Sequence, residues 1–247
     1  MKKLYISFFT IMLLMACSQD SDSFSSSNLS SDTGKAGSLA RFIVVGDYMY
    51  TVDHSNLKVF SVTNNTNPVL VNTVNIGFNI ETIFNYRNYL YIGSNNGMYI
   101  YAIDNAEMPS YLSEAWHFTS CDPVVANLTH AFVTLHSETW CGNNINSLEI
   151  YDVTDVTNPI LISSRNLTYP KGLGLYHNYL IVCDDEVKIF DVSDPEASVL
   201  VTSINKEAFD VIINGNQLIL VGDTGVYQYL LDSNNIENIT ELSTIAI

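Results

Sequence analysis

A segment of about forty residues recurs five times along the chain, and this period constrains the fold more than any other feature. Its core is six residues long and occurs at Leu57–Val62, Met98–Ile103, Leu148–Val153, Val187–Val192 and Val226–Leu231. A second run precedes each core and begins at Asp47, Asn88, Thr129, Asn178 and Asn216. These starting residues are 41, 41, 49 and 38 positions apart. A period of this length indicates a repeat architecture.

Each unit has the pattern of four short strands without a helix. In the fifth unit the expected strands are Phe209–Ile213, Gln217–Val221, Gly225–Leu231 and Ile239–Ile247. Runs of this kind are rich in Val, Ile, Tyr and Phe, and several are apolar at successive positions, so both faces need cover. Radially stacked sheets supply that cover. The sequence therefore predicts an all-β fold, a five-bladed β-propeller of four-stranded antiparallel blades.

The blades are expected near residues 39–77, 78–118, 119–168, 169–206 and 207–247. If each unit runs from the inner strand to the outer strand, Ala40–Val45 opens blade one and Ile239–Ile247 closes blade five. The ring would then close by packing of blade faces. A closing strand donated from the other terminus is the alternative.

The N-terminus has the pattern of an export signal, because Met1–Lys3 precede the apolar run Leu4–Ala16. This run is shorter than the roughly 20 residues that span a bilayer. It ends in Leu14-Met-Ala-Cys17, which resembles the lipobox of bacterial lipoproteins. That resemblance implies a signal peptide at residues 1–16 and a lipid on Cys17, whereas an ordinary secretory signal is the alternative.

Residues 17–38 are expected to form a disordered tether, because nine of the 21 residues from Ser18 to Ser38 are serine. The acidic start of the tether, Ser18–Asp22, is similar to tags in Bacteroidota surface lipoproteins. We therefore expect an extracytoplasmic protein held on the outer membrane by its lipid alone. The periplasmic face and the cell surface both stay open.

The chain is strongly acidic, with a formal charge of −16. This charge argues against nucleic acid as a partner, since phosphates need a basic surface. It also argues against a protein lying flat on anionic lipid. Cations or basic partners are favoured, although solubility alone would explain the same composition.

Blade three is the longest unit, and its extra residues lie within His136–Asn146. Cys121 and Cys141 fall in loops that share one rim of a propeller, and an exported chain meets oxidising conditions. We predict a Cys121–Cys141 disulfide worth about 3 kcal/mol. Trp140 lies in the same loop and is a candidate contact for a sugar or a partner. Cys183 is expected to be a buried apolar residue.

Charged residues recur where the five inner strands begin, at the mouth of the expected channel. They are Arg41, Glu81, Asp122, Lys171 and Asp210. One interpretation is a polar or cationic ligand held by the three carboxylates, with the two cations orienting an anionic part. The other is a self-neutralising ring filled with water. Two cations among five positions would oppose a calcium ion, and no catalytic motif occurs. We therefore expect no metal, no cofactor and no catalytic residue.

The repeats resemble the LVIVD-repeat family of exported bacterial propeller proteins. The resemblance is carried by Leu148–Val153 with Asn158–Ile162, and by Asn178–Cys183 and Val187–Val192 with Asp194-Pro195. Cys121–Val125 with Trp140–Gly142 looks like a subgroup of Bacteroidota lipoproteins. The family implies a propeller and a lipoprotein but no established activity. We expect a binding module that contacts an envelope protein or glycan through its top rim and channel mouth. A hydrolase or lyase with a channel-mouth site is the alternative.

Overall fold

Five four-stranded antiparallel sheets, the blades, make up the part of the chain that the computed structural model describes, residues 37–116, 123–137 and 145–247. Blade one contains β1 (Phe42–Val45), β2 (Tyr48–Val52), β3 (Asn56–Ser61) and β4 (Val69–Asn75). Blade two contains β5 (Ile80–Tyr86), β6 (Tyr89–Ser94), β7 (Gly97–Ala102) and β8 (Ser110–Trp116). Blade three contains β9 (Val124–Ala126), β10 (His130–Leu135), β11 (Ser147–Asp152) and β12 (Ile160–Asn166).

Blades four and five complete the ring. Blade four contains β13 (Leu173–Tyr176), β14 (Tyr179–Cys183), β15 (Val187–Asp191) and β16 (Val199–Ile204), with the short 3₁₀ helix Pro195–Ala197 before the last strand. Blade five contains β17 (Asp210–Asn214), β18 (Gln217–Gly222), β19 (Gly225–Leu230) and β20 (Thr240–Ala246). No helix in these described ranges is long and apolar enough to cross a membrane.

Every blade is built from four consecutive strands in sequence order, so the predicted five-bladed all-β propeller is confirmed. The alternative of a closing strand donated from the other terminus is wrong. Each blade also carries a register shift at the same place, in its third strand, as between Val59 and Phe60 and between Ile189 and Phe190. This recurring bulge bends every outer strand alike and identifies equivalent positions in different blades.

Apolar clusters fill four of the junctions between neighbouring blades. They join blade one to two, two to three, three to four and four to five. Because side chains alternate along a strand, each of the middle blades buries both faces. In blade four, for example, Leu180 faces blade three and Ile181 faces blade five, and both are fully buried.

The junction between blades five and one differs, because no such cluster lies there among the described residues. We call these two blade faces the open seam. The blade-one face comprises Phe42, Val44, Met49, Thr51 and Phe60, and the blade-five face comprises Ile212, Ile219, Val221, Val226 and Ile245. Phe42 is 56% exposed and Ile245 57% exposed, and the other eight side chains are half-buried. The expected closure of the ring by face packing is therefore not found at this junction.

Residues Gly37–Ala40, which we call the strap, cross between blades on the channel side. The Ser38 hydroxyl accepts a hydrogen bond from the Leu173 amide of blade four, 2.8 Å away. It also lies 3.4 Å from Asp210 Oδ1 of blade five, to which it donates. The Ala40 carbonyl accepts from the Ile83 amide of blade two. The tether was expected to extend to Ser38, but Gly37 and Ser38 are buried because these bonds hold them in place.

Candidate functional site

The loops that join one blade to the next and the loops that join second and third strands lie on one rim, as expected from a propeller. Between blades four and five they enclose a cavity of about 290 Å³. Its lining includes Tyr169 and Lys171 before β13, Asp184 and Asp185 after β14, Glu207 and Phe209 before β17, and Asp223 and Thr224 after β18. We call this space the rim cavity.

The turn after β14 is an acidic turn in which Asp184 and Asp185 share one lysine. The Asp184 side chain is fully buried and accepts a bond of 2.6 Å from Lys188 Nζ. It also accepts bonds from the amides of Thr168 and Tyr169. Lys188 bonds Asp185 at 2.6 Å as well and lowers the pKa of that carboxyl. In blade one the equivalent pair is Lys58 with Asp53, 2.9 Å apart.

Blade five has no lysine at this strand position, and Lys206 Nζ lies 4.6 Å from the centre of the ring of Tyr227. Tyr227 occupies the position of Lys58 and Lys188, and its hydroxyl bonds Thr224 at 2.6 Å. Asp223 is exposed and makes no ion pair within the described residues. Glu207 lies close by, because a Cβ placed on Gly222 would come 2.4 Å from the Glu207 carbonyl oxygen. Only glycine permits that backbone approach, and the exposed residues Glu207 and Asp223 both line the rim cavity.

Lys171 is the predicted channel-mouth residue that lines the rim cavity. Its Nζ stands 5.0 Å from the centre of the Tyr169 ring, a cation–π contact. Its carbonyl accepts a hydrogen bond from the Thr134 hydroxyl of blade three, which fixes the backbone. The rim cavity is therefore lined by a lysine and aromatic rings together with several carboxylates.

Asp210 is turned away from the rim cavity and into the strap. Burial raises the pKa of its carboxyl, and hydrogen bonds from the Val211 amide and from Leu39 and Ser38 counteract that rise. A Cβ placed on Gly37 would come 2.0 Å from Asp210 Oδ2, so the strap fits only with glycine there. Asp210 thus anchors the strap, a role that differs from the ligand contact expected for it.

Glu81 and Arg41 form a second group at the mouth, in blades two and one. Burial raises the pKa of Glu81, and the nearby Arg41 and His54 lower it in part. Arg41 itself is exposed. The four described channel-mouth residues therefore separate into Arg41 with Glu81 on one side and Lys171 with Asp210 on the other.

The remaining predicted sites lie outside the described residues. They are Cys17, Cys121, Asp122, Trp140 and Cys141, so the lipid anchor, the disulfide and the Trp140 contact stay predictions. Cys183 is described and is fully buried. Burial, with Asp210 nearby, raises the pKa of its thiol. Throughout the described ranges, no three His, Cys, Asp or Glu residues are grouped closely enough to hold a metal ion.

The inner strands of blades two to five line a second cavity of about 540 Å³. Ser38 of the strap is part of its lining, and apolar side chains such as Val125, Leu175 and Ile213 form most of its wall. Asn85 stands where the other blades have Val44, Ala126, Leu175 or Ile213. Its Nδ2 donates to the carbonyls of Arg87 and Tyr89 and so supports the tight β5–β6 turn.

Sequence reasoning missed Glu207 and Asp223. It counted back from the second strands to the starts of the inner strands and did not align the turns after the second strands. That alignment carries the signal, since Asp53, Asp184 and Asp223 each directly follow a second strand. The replacement of Lys58 and Lys188 by Tyr227 in the fifth unit is visible in the sequence too.

A ring of four-stranded blades defines a β-propeller. This architecture is that of an interaction or scaffold module. The family model for the LVIVD repeat matches residues 33–76 and 170–206, which cover blade one with its strap and blade four. The chain is therefore a five-bladed β-propeller that contains LVIVD repeats. No protein with a curated description matches it.

Solved structures show the same fold at low sequence identity. A functionally unknown protein from Desulfotomaculum acetoxidans is 10% identical with a TM-score of 0.66, over 87% of this chain and 69% of that chain. A Lactobacillus plantarum protein is 12% identical with a TM-score of 0.66, over 84% and 69%. The periplasmic gluconolactonase of Pseudomonas aeruginosa is 12% identical with a TM-score of 0.62, over 82% and 68%.

Proposed function

We propose that this protein is a lipid-anchored interaction module of the bacterial outer envelope that binds a cationic group of an envelope protein or glycan at the rim cavity. The observation that carries the proposal is the pair of exposed carboxylates, Asp223 and Glu207, which line the rim cavity and make no ion pair within the described residues. Asp53 and Asp184, in the equivalent turns, have lysines at 2.9 and 2.6 Å. A ligand amine would supply the ion pair that these two carboxylates lack.

Other residues that line the rim cavity suit the rest of such a ligand. Lys171 carries three donors that can bind a hydroxyl or anionic part. Tyr169 and Phe209 offer aromatic surface of the kind on which sugar rings and peptide side chains stack. An amino sugar or a lysine-containing peptide fits this combination, and the overall charge of −16 would draw it in.

The test compares two oligosaccharides that differ only in their amines. A glucosamine tetramer should bind in calorimetric titration, and the fully acetylated tetramer should bind at least about tenfold more weakly, which corresponds to about 1.4 kcal/mol. Glu207→Gln with Asp223→Asn should remove that difference. The matched control is Asp194→Asn with Glu196→Gln in the blade-four loop, which also removes two exposed carboxylates. Equal binding of the two tetramers by the unaltered protein would reject the cationic-group proposal.

A lysine-containing peptide and its acetylated form repeat the same comparison for a protein partner. If the protein distinguishes only the two peptides, the partner is a protein. If it distinguishes only the two oligosaccharides, the partner is a glycan.

The lipid anchor has its own test. Cys17→Ala should release the protein from the membrane fraction into the soluble fraction, and retention of that variant on membranes would contradict anchoring through Cys17.

A channel-mouth hydrolase is the competing function. One of the neighbouring folds is a gluconolactonase, but at 12% identity the likeness is one of fold. If the purified chain hydrolysed glucono-lactone, and if Asp122→Asn and Lys171→Gln each abolished that activity, the result would favour the enzyme. A rim binder should instead show no turnover and should lose affinity only in part when Trp140→Ala is introduced.

A further inference from the structure

We propose that the cavity between the inner strands of blades two to five binds an uncharged, largely apolar molecule through one hydroxyl or N–H group, which donates a hydrogen bond to Asn85. We call this space the inner cavity. It shares no lining residue with the rim cavity, so the inference is independent of the proposed function. Its volume of about 540 Å³ is typical of small-molecule sites.

Asn85 supplies a buried hydrogen-bond acceptor in the lining of the inner cavity. The residue is 7% exposed, and none of the described residues donates to its Oδ1. The orientation of the amide is fixed, because Nδ2 donates to the carbonyls of Arg87 and Tyr89 and only the amide nitrogen can donate. Most buried side-chain polar atoms in folded proteins have a hydrogen-bond partner. A donor on a bound molecule would provide that partner.

The turn between β5 and β6 does not itself require an amide at this position. Blade four forms an equivalent turn in which His177 has φ 54°, as Arg87 has φ 53° in blade two. The residue equivalent to Asn85 in blade four is Leu175. Because the same turn forms with an apolar residue there, the amide of Asn85 is available for a second role at the cavity.

The other polar groups of the lining already have partners within the protein. Asn127 Oδ1 accepts hydrogen bonds from the amides of Thr129 and His130. The Ser38 hydroxyl accepts from the Leu173 amide and donates to Asp210. Asn85 Oδ1 is therefore the lining oxygen on which a ligand donor would gain most.

The rest of the wall suits an uncharged ligand. Val125, Leu173 and Val211 are apolar and almost fully buried, and none of the described lining residues is an aspartate, glutamate, lysine or arginine. The inner cavity extends to the turns after the inner strands, where the exposed His177 lies. A molecule can therefore enter from the rim opposite the rim cavity, while the strap lies toward the other end.

The experiment compares indole, whose N–H only donates, with 1-methylindole, in which a methyl group replaces that hydrogen. Both are uncharged, and both are small for this space, since an apolar cavity of about 150 Å³ already binds benzene. The full chain carries Cys17→Ser, so that no lipid takes up the probes. In calorimetric titration, indole should bind at least about tenfold more tightly than 1-methylindole.

Two variants locate the site. Asn85→Leu, which introduces the residue type of blade four, should remove the difference between the two probes while both still bind the apolar wall. Ile213→Trp should weaken indole binding at least about tenfold, because the half-buried Ile213 lines the cavity and a larger ring fills it. Ile212→Trp is the matched control, since Ile212 is also half-buried but lies on the opposite face of β17, at the open seam.

Equal binding of the two probes by the protein with an intact Asn85 would overturn the donor contact, and no binding of either would overturn the site. Equal weakening by Ile213→Trp and Ile212→Trp would place indole outside the inner cavity and would also overturn the proposal. Asn85→Leu removes both Nδ2 bonds of the turn. If that variant does not fold, the two probes and the two tryptophan variants still decide between these outcomes.

Discussion

The junction between blades three and four and the seam between blades five and one use equivalent positions of one repeat, yet only the first is packed. Leu173, Leu180 and Phe190 are buried against blade three. Phe42, Met49 and Phe60 occupy the same positions of blade one and retain solvent contact. The repeat thus determines which side chains lie on each face of a blade. Whether a neighbouring blade packs on that face depends on the curvature of the whole ring.

The strap compensates for the unpacked junction with polar contacts. It bonds blade four through Leu173, blade five through Asp210 and blade two through Ile83. The first and last parts of the ring are therefore joined through hydrogen bonds, where the other neighbouring blades share apolar clusters. Equivalent substitutions in a packed junction and at the open seam should therefore change the free energy of unfolding by different amounts.

The largest difference is expected for a matched pair of phenylalanines. Phe190→Ala should lower the free energy of unfolding by about 3–5 kcal/mol, because it leaves a cavity in a packed junction. Phe60→Ala should lower it by only about 1 kcal/mol, because the half-buried ring loses little burial. Urea denaturation followed by fluorescence measures both. Equal losses would mean that the seam is packed in solution.

A smaller difference is expected for the two equivalent lysines. Lys188→Met should cost about 1.5–3 kcal/mol, since the fully buried Asp184 loses a charged hydrogen bond. Lys58→Met should cost about 0–1 kcal/mol, because its partner Asp53 is well exposed. Thermal melting at low and high salt checks this comparison. Salt should weaken the contribution of Lys58 and leave that of Lys188 nearly unchanged.

Most of the fold was predictable because strand periodicity and turn residues act locally. The four strands expected in the fifth unit coincide with β17 to β20 within one residue at nearly every end. The open seam was not predictable, since an apolar alternation in β1 is the same whether or not a neighbour covers it. Nor was the strap, because Gly37 and Ser38 have the composition of a tether and are ordered only by contacts with blades four and five.

The candidate site was predictable in part for a similar reason. Counting along the repeat located Lys171 and Asp210 at the mouth, but it could not show that Ser38 would engage Asp210. Glu207 and Asp223 come together through the close approach at Gly222, a contact between two loops 15 residues apart. This contact lies beside the β17–β18 pairing within blade five, where the Phe209 amide donates to the Val221 carbonyl, so aligning the turns after the second strands could have located it.

Removing the strap hydroxyl should have a moderate effect. Ser38→Ala leaves the buried Leu173 amide without its acceptor, which should cost about 1–3 kcal/mol. Ser193→Ala is the control, since the exposed Ser193 hydroxyl donates to Asp191 and accepts from Asn178, both at the surface of blade four. Denaturant midpoints compare the two. A strap variant no less stable than the control would show that the strap contributes little to joining the ring.

The smallest effect is expected at Asp210, and its sign depends on pH. Burial raises the pKa of this carboxyl above its ordinary value of 3.8, so the folded protein binds the proton more tightly than the unfolded chain does. Stability from this group is therefore present below pH 3.8 and is lost as pH rises through the raised pKa. Asp210→Asn keeps an oxygen acceptor for Ser38 and avoids the buried charge, so it should be at least as stable as the unaltered protein at neutral pH.

Asp155 provides the opposite case, because hydrogen bonds from Thr157 lower the pKa of its carboxyl and its contribution to stability is lost as pH falls. Melting temperatures measured across the acidic range should thus move in opposite directions for Asp210→Asn and Asp155→Asn relative to the unaltered protein. Parallel curves would show that Asp210 is solvated at the mouth, as the sequence suggested, and that the strap is displaced from it in solution.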